Sequence, residues 1–185
     1  MNAGSSHLSL EEFILEMGRR PVSSLTQKRL MDFTRRLIIS DELIESRTCF
    51  APNTYTRNLV CRSADFELLV LCWKPGHEST IHDHDGSLNA IRVYLGELTS
   101  RVFAPRSGLP MGTGPVELVA EEHVQEGGWT GVDRDGIHQL VNTSAESLIT
   151  VHVYAPPLLG LNVYSAHSSS VERRPLRHTL ADDMA

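Results

Sequence analysis

Between Thr54 and Tyr154 the sequence alternates short runs rich in Val, Leu, Tyr and Thr with Gly, Pro, Asp and Asn. Short apolar runs bounded by turn-forming residues are typical of β-strands. Strands are predicted over residues 55–61, 66–73, 79–84, 90–95, 98–104, 116–124, 128–132, 138–142 and 148–154. Gly96 and Glu97 are expected to form a hairpin turn between two of them. So many short strands at close spacing predict an all-β sandwich or barrel.

The segment before the strands has helical periodicity. Ser9 with Glu12, and Ser24 with Gln27, have the spacing of a capping box, in which a hydroxyl and an acid or amide three residues later satisfy backbone N–H groups at a helix start. The helix that follows Ser24 is expected to continue to about Ile39. These helices are expected to pack on the sheet as a flap.

The length predicts a single domain, because 185 residues is an ordinary size for one domain with one hydrophobic core. The prediction divides the chain into a helical segment at 1–48, a barrel core at 54–157 and a C-terminal extension at 158–185. The extension has little periodicity, so no strand or helix is predicted in it.

Charge and hydropathy exclude several classes of partner. The formal net charge is −6, and basic residues occur only in short runs such as Arg35-Arg36, whereas phosphate-binding surfaces need a basic stripe. No apolar run is long enough to span a bilayer, and residues 1–9 lack the features of a signal peptide. We therefore expect a cytoplasmic monomer or small homo-oligomer with small-molecule partners, no nucleic acid and no membrane.

His82 and His84 are the strongest candidates for chemistry. In a strand they would point to the same face, because side chains alternate with a period of two, and Asp83 would point away. Two neutral imidazoles on one face can share a metal ion. His138 is the natural third ligand if its strand lies alongside. The alternative is a histidine pair that only decorates the surface of a hairpin.

The spacing around these histidines resembles the two motifs of the cupins, small β-barrels that hold a metal between strands. The first motif is matched by Gly76, His82, His84, Asn89 and Gly96, with Asn89 where cupins usually have Glu. The second is matched in part by Gly127, Asp133, Asp135, His138 and Asn142, the two Asp replacing the usual Pro and Gly. The resemblance implies a mainly β fold, one double-stranded β-helix (jelly-roll) barrel with short N-terminal helices. Three histidines without the glutamate leave a metal site of charge two plus, which suits Fe(II) and an anionic thiolate.

Within the cupins, the chain resembles the cysteine dioxygenases, the thiol dioxygenase branch. The matching stretches keep the order and approximate spacing of that family from about Thr54 to Pro157. They are residues 55–60, 71–73, 76–77, 79–84, 136–138 and 152–157.

Carried over residue by residue, this resemblance implies a metal site and a substrate pocket. The implied ligands of a mononuclear Fe(II) are His82, His84 and His138. The implied substrate-binding residues are Arg57, Tyr55, Trp73 and Asn89. Arg57 would grip the substrate carboxylate, because a guanidinium binds a carboxylate through a charged, two-pronged fork. Asn89 stands where animal members carry a cysteine crosslinked to the active-site tyrosine, so no thioether is expected here.

The resemblance also implies three catalytic residues on one strand face, Thr150, His152 and Tyr154. In the family a Ser-x-His-x-Tyr string forms a hydrogen-bonded relay, and Thr150 keeps the hydroxyl of the usual serine. The hydroxyl of Tyr154 would face the iron. The family's X-Pro bond at the position of Ala155-Pro156 is often cis.

The implied function is an Fe(II)-dependent thiol dioxygenase that uses O2 to oxidise L-cysteine to cysteine sulfinic acid. One alternative is the same iron and oxygen chemistry on another small thiol acid, such as mercaptopropionate or mercaptosuccinate. Another is a cysteine-tailoring cupin that gives a different product. The most distant alternative is a cupin that binds a small acid without turnover.

Overall fold

A computed structural model describes residues 7–179 of the chain. Three short helices come first, namely α1 (Leu10–Gly18), α2 (Gln27–Thr34) and α3 (Asp41–Arg47). The strands that follow are β1 (Thr56–Arg62), β2 (Glu67–Trp73), β3 (His82–Asp83), β4 (Leu88–Leu95), β5 (Leu98–Pro105), β6 (Val116–Val124), β7 (Trp129–Thr130), β8 (Ile137–Val141), β9 (Leu148–Ala155), β10 (Gly160–Val163) and β11 (Glu172–Pro175). The prediction of a mainly β fold with short N-terminal helices is therefore confirmed.

The strands form two antiparallel sheets. The order is β1-β2-β9-β4-β7 in the first sheet and β11-β10-β3-β8-β5-β6 in the second. Leu69 and Ile91 of the first sheet share one buried cluster with Leu98 and Leu140 of the second. The inner faces of the two sheets therefore pack together and enclose the core of the barrel.

The helices cover the outer face of the first sheet. Phe13 of α1 and Leu30 of α2 belong to the same buried cluster as Val70 of β2 and Val153 of β9. Both faces of β2 and β9 are thus covered, and every residue of these two strands is buried. This explains why the two strands are nearly continuous apolar runs in the sequence. No helix among residues 7–179 is long and apolar enough to cross a membrane.

The predicted hairpin at Gly96 and Glu97 is wrong. The strand before it, β4, lies in the first sheet, and the strand after it, β5, lies in the second. The connection therefore carries the chain from one sheet to the other. Gly96 has φ +85°, and a Cβ there would lie 2.8 Å from the carbonyl oxygen of Ser147. Glycine is required at this crossing because both the backbone conformation and the space exclude a side chain.

One of the two predicted capping boxes is confirmed. Ser9 accepts from the N–H of Glu12 at 3.2 Å, and the carboxylate of Glu12 accepts from the N–H of Ser9 at 2.8 Å. The second is wrong: Ser24 lies in a 3₁₀ turn, where its hydroxyl donates to the carbonyl oxygen of Pro21. Thr26 caps α2 instead. A hydroxyl already used inside a turn cannot cap the helix that follows it.

Three further expectations, about where elements end and how many there are, also differ from the structure. Helix α2 ends at Thr34 and not near Ile39, because Leu37 forms a bridge with Leu8 and the chain is extended there. The strand predicted over 79–84 has only the two residues of β3. The C-terminal extension holds two strands, β10 and β11, which pair with each other and continue the second sheet beside β3. The peptide bond between Ala155 and Pro156, just after β9, is cis.

Candidate metal centre

The pairing of β3 with β8 brings the three candidate histidines together. His82 lies directly opposite His138 in this pair, and His84 follows the end of β3. The ring centroid of His82 lies 5.1 Å from that of His84 and 4.7 Å from that of His138. One ring nitrogen of each histidine lies within 4.8 Å of the other two, and all three side chains are buried. These residues could hold a metal ion.

Asp83, between two of them, points the other way, as the strand period requires. Its carboxylate accepts hydrogen bonds from the side-chain amide of Asn162 at 2.9 Å and from the hydroxyl of Tyr164 at 2.5 Å. The carboxylate therefore anchors β10 to β3. It is absent from the set of possible ligands.

The histidines are in the protonation state that binds a metal. Burial lowers the pKa of His82 to about 4 and lowers the pKa of both His84 and His138 well below the usual 6.5. Neighbouring imidazoles add to the effect on His84 and His138. At neutral pH each ring is uncharged and keeps a lone pair for a cation. The Nδ1 of His82 lies 2.7 Å from the carbonyl oxygen of Thr80, so Nδ1 carries the proton and Nε2 carries the lone pair.

The facing nitrogens of His84 and His138 fit a shared ion. Their Nε2 atoms lie 3.0 Å apart, which is the separation expected for neighbouring nitrogen ligands each about 2.1 Å from one metal ion. Their Nδ1 atoms are buried without a hydrogen-bond partner among residues 7–179. With the protons on Nδ1, two lone pairs would face each other, and a cation between them relieves that repulsion. Three imidazoles without a carboxylate suit a transition metal ion.

A hydrogen-bonded relay runs along the inner face of β9, next to these histidines. The Nε1–H of Trp73 donates to Oγ1 of Thr150 at 2.9 Å. That oxygen lies 2.8 Å from Nε2 of His152, and Nδ1 of His152 lies 3.0 Å from the hydroxyl of Tyr154. All four side chains are buried. The Tyr154 ring centroid is 5.3 Å from that of His84, so the relay ends beside the histidine group.

The protons of the relay follow from the chemistry of its members. Burial, together with the nearby Arg57, lowers the pKa of His152 well below its usual value, so the ring is neutral and has one N–H. If Thr150 donates to Nε2, then Nδ1–H donates to Tyr154 and each of these hydrogens has an acceptor. Burial raises the pKa of Tyr154 to about 12. Its hydroxyl therefore keeps its hydrogen, which this arrangement leaves available to a ligand.

Arg57 lies beside the relay. Its side chain is buried, and its Cζ is 5.7 Å from the ring centroid of Tyr154. Its Nε and Nη2 have no hydrogen-bond partner among the described residues. These two nitrogens form the side-on fork of a guanidinium, so they are available to a carboxylate. Tyr55 stacks on Trp73 with ring centroids 4.1 Å apart, and both rings adjoin this region.

Asn89 lies directly opposite Tyr154 in the pairing of β4 with β9, so both side chains share the inner face. Its Oδ1 accepts from the N–H of Val132 at 2.9 Å. This bond fixes the orientation of the amide, because a backbone N–H can only donate. Its Nδ2 is buried and has no partner among the described residues. Asn89 therefore presents an unused donor next to the tyrosine.

Glu67 is a residue that the sequence reasoning missed. It is the first residue of β2, is fully buried, and lies opposite Tyr154 in the pairing of β2 with β9. Its Oε1 is 3.5 Å from Nη2 of Arg57, and its Oε2 is 3.1 Å from Nε2 of His178. A single acid at the start of a run of apolar strand residues was the signal that could have identified it.

Comparisons with known proteins agree with this geometry. Residues 38–167 match the family model described as "Cysteine dioxygenase type I". "Cysteine dioxygenase type 1" of Danio rerio is 32% identical over 125 residues, covering 64% of this chain and 61% of the relative. The Homo sapiens protein of the same name is 34% identical over 111 residues, covering 56% of this chain and 52% of the relative. The chain thus spans about half to three fifths of the length of these curated relatives.

Solved structures show the same fold at low sequence identity. A Klebsiella pneumoniae protein described as having a double-stranded β-helix domain has a TM-score of 0.51 and 20% identity, covering 69% of this chain and 96% of that one. A Thermus thermophilus protein also has a TM-score of 0.51 and 20% identity, covering 64% of this chain and 97% of that one. Because the family model covers more than half of the sequence, the chain belongs to the cysteine dioxygenase type I family of the cupin superfamily.

Proposed function

We propose that this chain is an Fe(II)-dependent thiol dioxygenase that oxidises L-cysteine to cysteine sulfinic acid. The observation that best supports this is the buried three-histidine group with the hydroxyl of Tyr154 and the free fork of Arg57 beside it. Relatives named cysteine dioxygenase agree with the proposal. Both atoms of O2 would pass to the thiol sulfur, so the reaction needs no further reductant.

His82, His84 and His138 would hold the iron. When bound, Fe(II) supplies a site where a thiolate and O2 can react, because imidazole ligands leave positions open for both. The protein contributes the geometry. The Nε–H and Nη2–H of Arg57 would fix the substrate carboxylate in one orientation, which replaces a loose encounter with a positioned one.

Tyr154 would donate its hydroxyl hydrogen to the reacting atoms. Its raised pKa keeps that hydrogen in place at neutral pH. His152 and Thr150 would hold the orientation of the hydroxyl, and Trp73 would hold Thr150. The burial of the whole relay excludes water, which strengthens each of these hydrogen bonds.

The test is oxygen uptake by anaerobically purified, Fe(II)-loaded protein given L-cysteine, with the mass of the product recorded. We expect uptake of one O2 per thiol and a product heavier by two oxygen atoms. His84→Gln should abolish both uptake and stoichiometric iron binding. His123→Gln, which changes a half-exposed histidine away from the group, should leave both intact. If none of the thiols tested supports oxygen uptake, the dioxygenase proposal is refuted.

A second candidate is the same chemistry on another small thiol acid. The observation that favours it is the unused Nδ2 donor of Asn89 beside Tyr154, which could bind a polar group that cysteine lacks. Mercaptosuccinate, which has a second carboxylate that cysteine lacks, should therefore be compared with L-cysteine in the same assay, and mercaptopropionate, which has no polar group that cysteine lacks, serves as the control acid. If mercaptosuccinate is oxidised with a higher kcat/KM than both L-cysteine and mercaptopropionate, and Asn89→Ala removes that preference, the second candidate replaces the first.

A further inference from the structure

The C-terminal end of the described chain runs alongside the residue proposed to bind the substrate carboxylate. The N–H of Thr179 donates to the carbonyl oxygen of Arg57 at 2.9 Å, and the N–H of Arg57 donates to Oγ1 of Thr179 at 2.8 Å. The N–H of Leu176 donates to the carbonyl oxygen of Leu159 at 3.1 Å. These three bonds fix the short segment that contains His178.

His178 holds the carboxylate of Glu67 from one side. Its Nε2 lies 3.1 Å from Oε2 of Glu67, and this nitrogen must carry the hydrogen because a carboxylate only accepts. On the other side, the N–H of Leu158 donates to Oε1 at 3.2 Å. Both oxygens of this fully buried carboxylate are therefore held by groups outside Arg57.

The distance between Glu67 and Arg57 is unusual for a buried pair. Oε1 of Glu67 lies 3.5 Å from Nη2 of Arg57 without forming a hydrogen bond. Arg–carboxylate pairs normally close to about 2.7–2.9 Å, often through two parallel bonds. The carboxylate thus compensates the buried charge of Arg57 while Nε and Nη2, the two nitrogens of the fork, stay free among the described residues.

We propose that His178 is a positioning residue that keeps Glu67 from occupying the carboxylate-binding fork of Arg57. The inference rests on the proposed function, since it assigns a role to the arginine that would bind the substrate. Without the hydrogen bond from His178, Oε2 of Glu67 loses its donor and the carboxylate can turn toward the two free N–H groups. A substrate carboxylate would then have to displace Glu67.

This mechanism affects only thiols that carry a carboxylate. Cysteamine has the thiol and the amine of cysteine but lacks the carboxylate, so it does not use the fork. Loss of His178 should therefore weaken the binding of L-cysteine and not that of cysteamine. A purely structural role for His178 would weaken the binding of both thiols to the same degree.

The test is calorimetric binding of L-cysteine and of cysteamine to Fe(II)-loaded protein without oxygen, together with melting temperatures. We expect His178→Leu to raise the Kd of L-cysteine by about 10-fold, the usual effect of one charged hydrogen bond, and that of cysteamine by less than about two-fold. His178→Gln retains a donor and should bind both thiols as the parent does. Arg174→Ala, which removes an exposed ion pair with Glu172 on the same segment, is the matched control.

The decisive comparison is the double variant. Glu67→Gln in the His178→Leu background removes the competing charge, so the affinity for L-cysteine should recover. A folded double variant that binds L-cysteine no better than His178→Leu would overturn the proposal. Equal weakening of both thiols in His178→Leu, or failure of His178→Gln to bind L-cysteine better than His178→Leu, would overturn it even if the double variant fails to fold. If the parent binds L-cysteine through this arrangement but does not oxidise it, the proposed function fails and the role of His178 stands. If the parent does not bind L-cysteine, the role of His178 falls.

Discussion

Replacing Tyr154 by Phe removes one oxygen atom from the relay and keeps the ring. With Thr150 donating to Nε2 of His152, the Nδ1–H of this ring lies 3.0 Å from the hydroxyl and loses its acceptor in a fully buried position. An unsatisfied buried donor costs about 1–3 kcal/mol, and in a chain of this size each kcal/mol lowers the melting temperature by about 2–4 °C. We therefore expect a fall of several degrees.

The effect on catalysis should be larger and should appear in kcat. The hydroxyl would donate to the reacting atoms, and a donor worth about 1.4–2.8 kcal/mol in the transition state changes the rate about 10- to 100-fold. Nε and Nη2 of Arg57 make no hydrogen bond to this hydroxyl, and the ring beside the guanidinium is kept, so KM for L-cysteine should change little. Initial rates of O2 uptake and of sulfinate formation, measured together, give kcat, KM and the coupling ratio.

The matched control is Tyr94→Phe. It also removes a tyrosine hydroxyl, one that donates to Asp41 outside the relay, and it should leave kcat unchanged. The reasoning would be refuted if Tyr154→Phe lowered the melting temperature but left kcat and coupling at the parent values. The hydroxyl would then only satisfy His152.

Three further predictions concern the substrate fork, the crossing between the sheets and pH. Arg57→Lys should raise KM for L-cysteine about 10- to 100-fold with little effect on cysteamine, because lysine is a point charge without a fork; equal losses on both thiols in initial-rate kinetics would contradict this. Gly96→Ala should lower the free energy of unfolding by about 2–4 kcal/mol in urea titrations. The control is Gly76→Ala, because Gly76 has a similar φ of +80° but nothing within 4 Å of an added Cβ. This variant should lower the free energy of unfolding by only about 1 kcal/mol. In metal-free protein, His82 binds its proton more weakly when folded, with a pKa of about 4 against the usual 6.5, so the unfolded chain takes up more protons between these values. The free energy of unfolding should therefore fall as the pH is lowered from about 6.5 to 4, by up to about 3 kcal/mol from His82 alone, and an unchanged pH dependence in His82→Asn would show that this histidine is not the cause.

The sequence predicted the elements whose signals are local. The strands that are buried on both faces, β2 and β9, are apolar runs, and Ser9 with Glu12 marks the start of α1 through its own hydrogen bonds. The three histidines that could hold a metal ion were identified by their period and spacing, and His82 and His138 pair directly in the structure. These features require only short-range geometry.

The features that the sequence did not predict depend on distant partners. Gly96 and Glu97 between two predicted strands are typical of a hairpin turn. Only the pairing of β4 and β5 with other strands shows that these residues join two sheets. Strand β11 is exposed and has no apolar pattern. Strand β10 has only a short apolar alternation, Leu161 and Val163, and its place beside β3 depends on the distant Asp83, which accepts from Asn162. Glu67 and His178 are far apart in the chain, and no spacing rule links them.

The division of the site between the two sheets has a consequence for how such a protein can change. His82 and His138 lie on the second sheet, whereas Tyr154 and the rest of the relay lie on the first. Tyr154 belongs to the buried cluster between the sheets, together with Leu71 and Leu98, so the 5.3 Å between its ring and that of His84 depends on how this cluster packs. The apolar core therefore sets the position of the histidine group relative to the relay. Substitutions in the core can change the reaction rate without replacing a polar residue. Activity would then decline gradually with loosened packing, well before cooperative unfolding removes the fold.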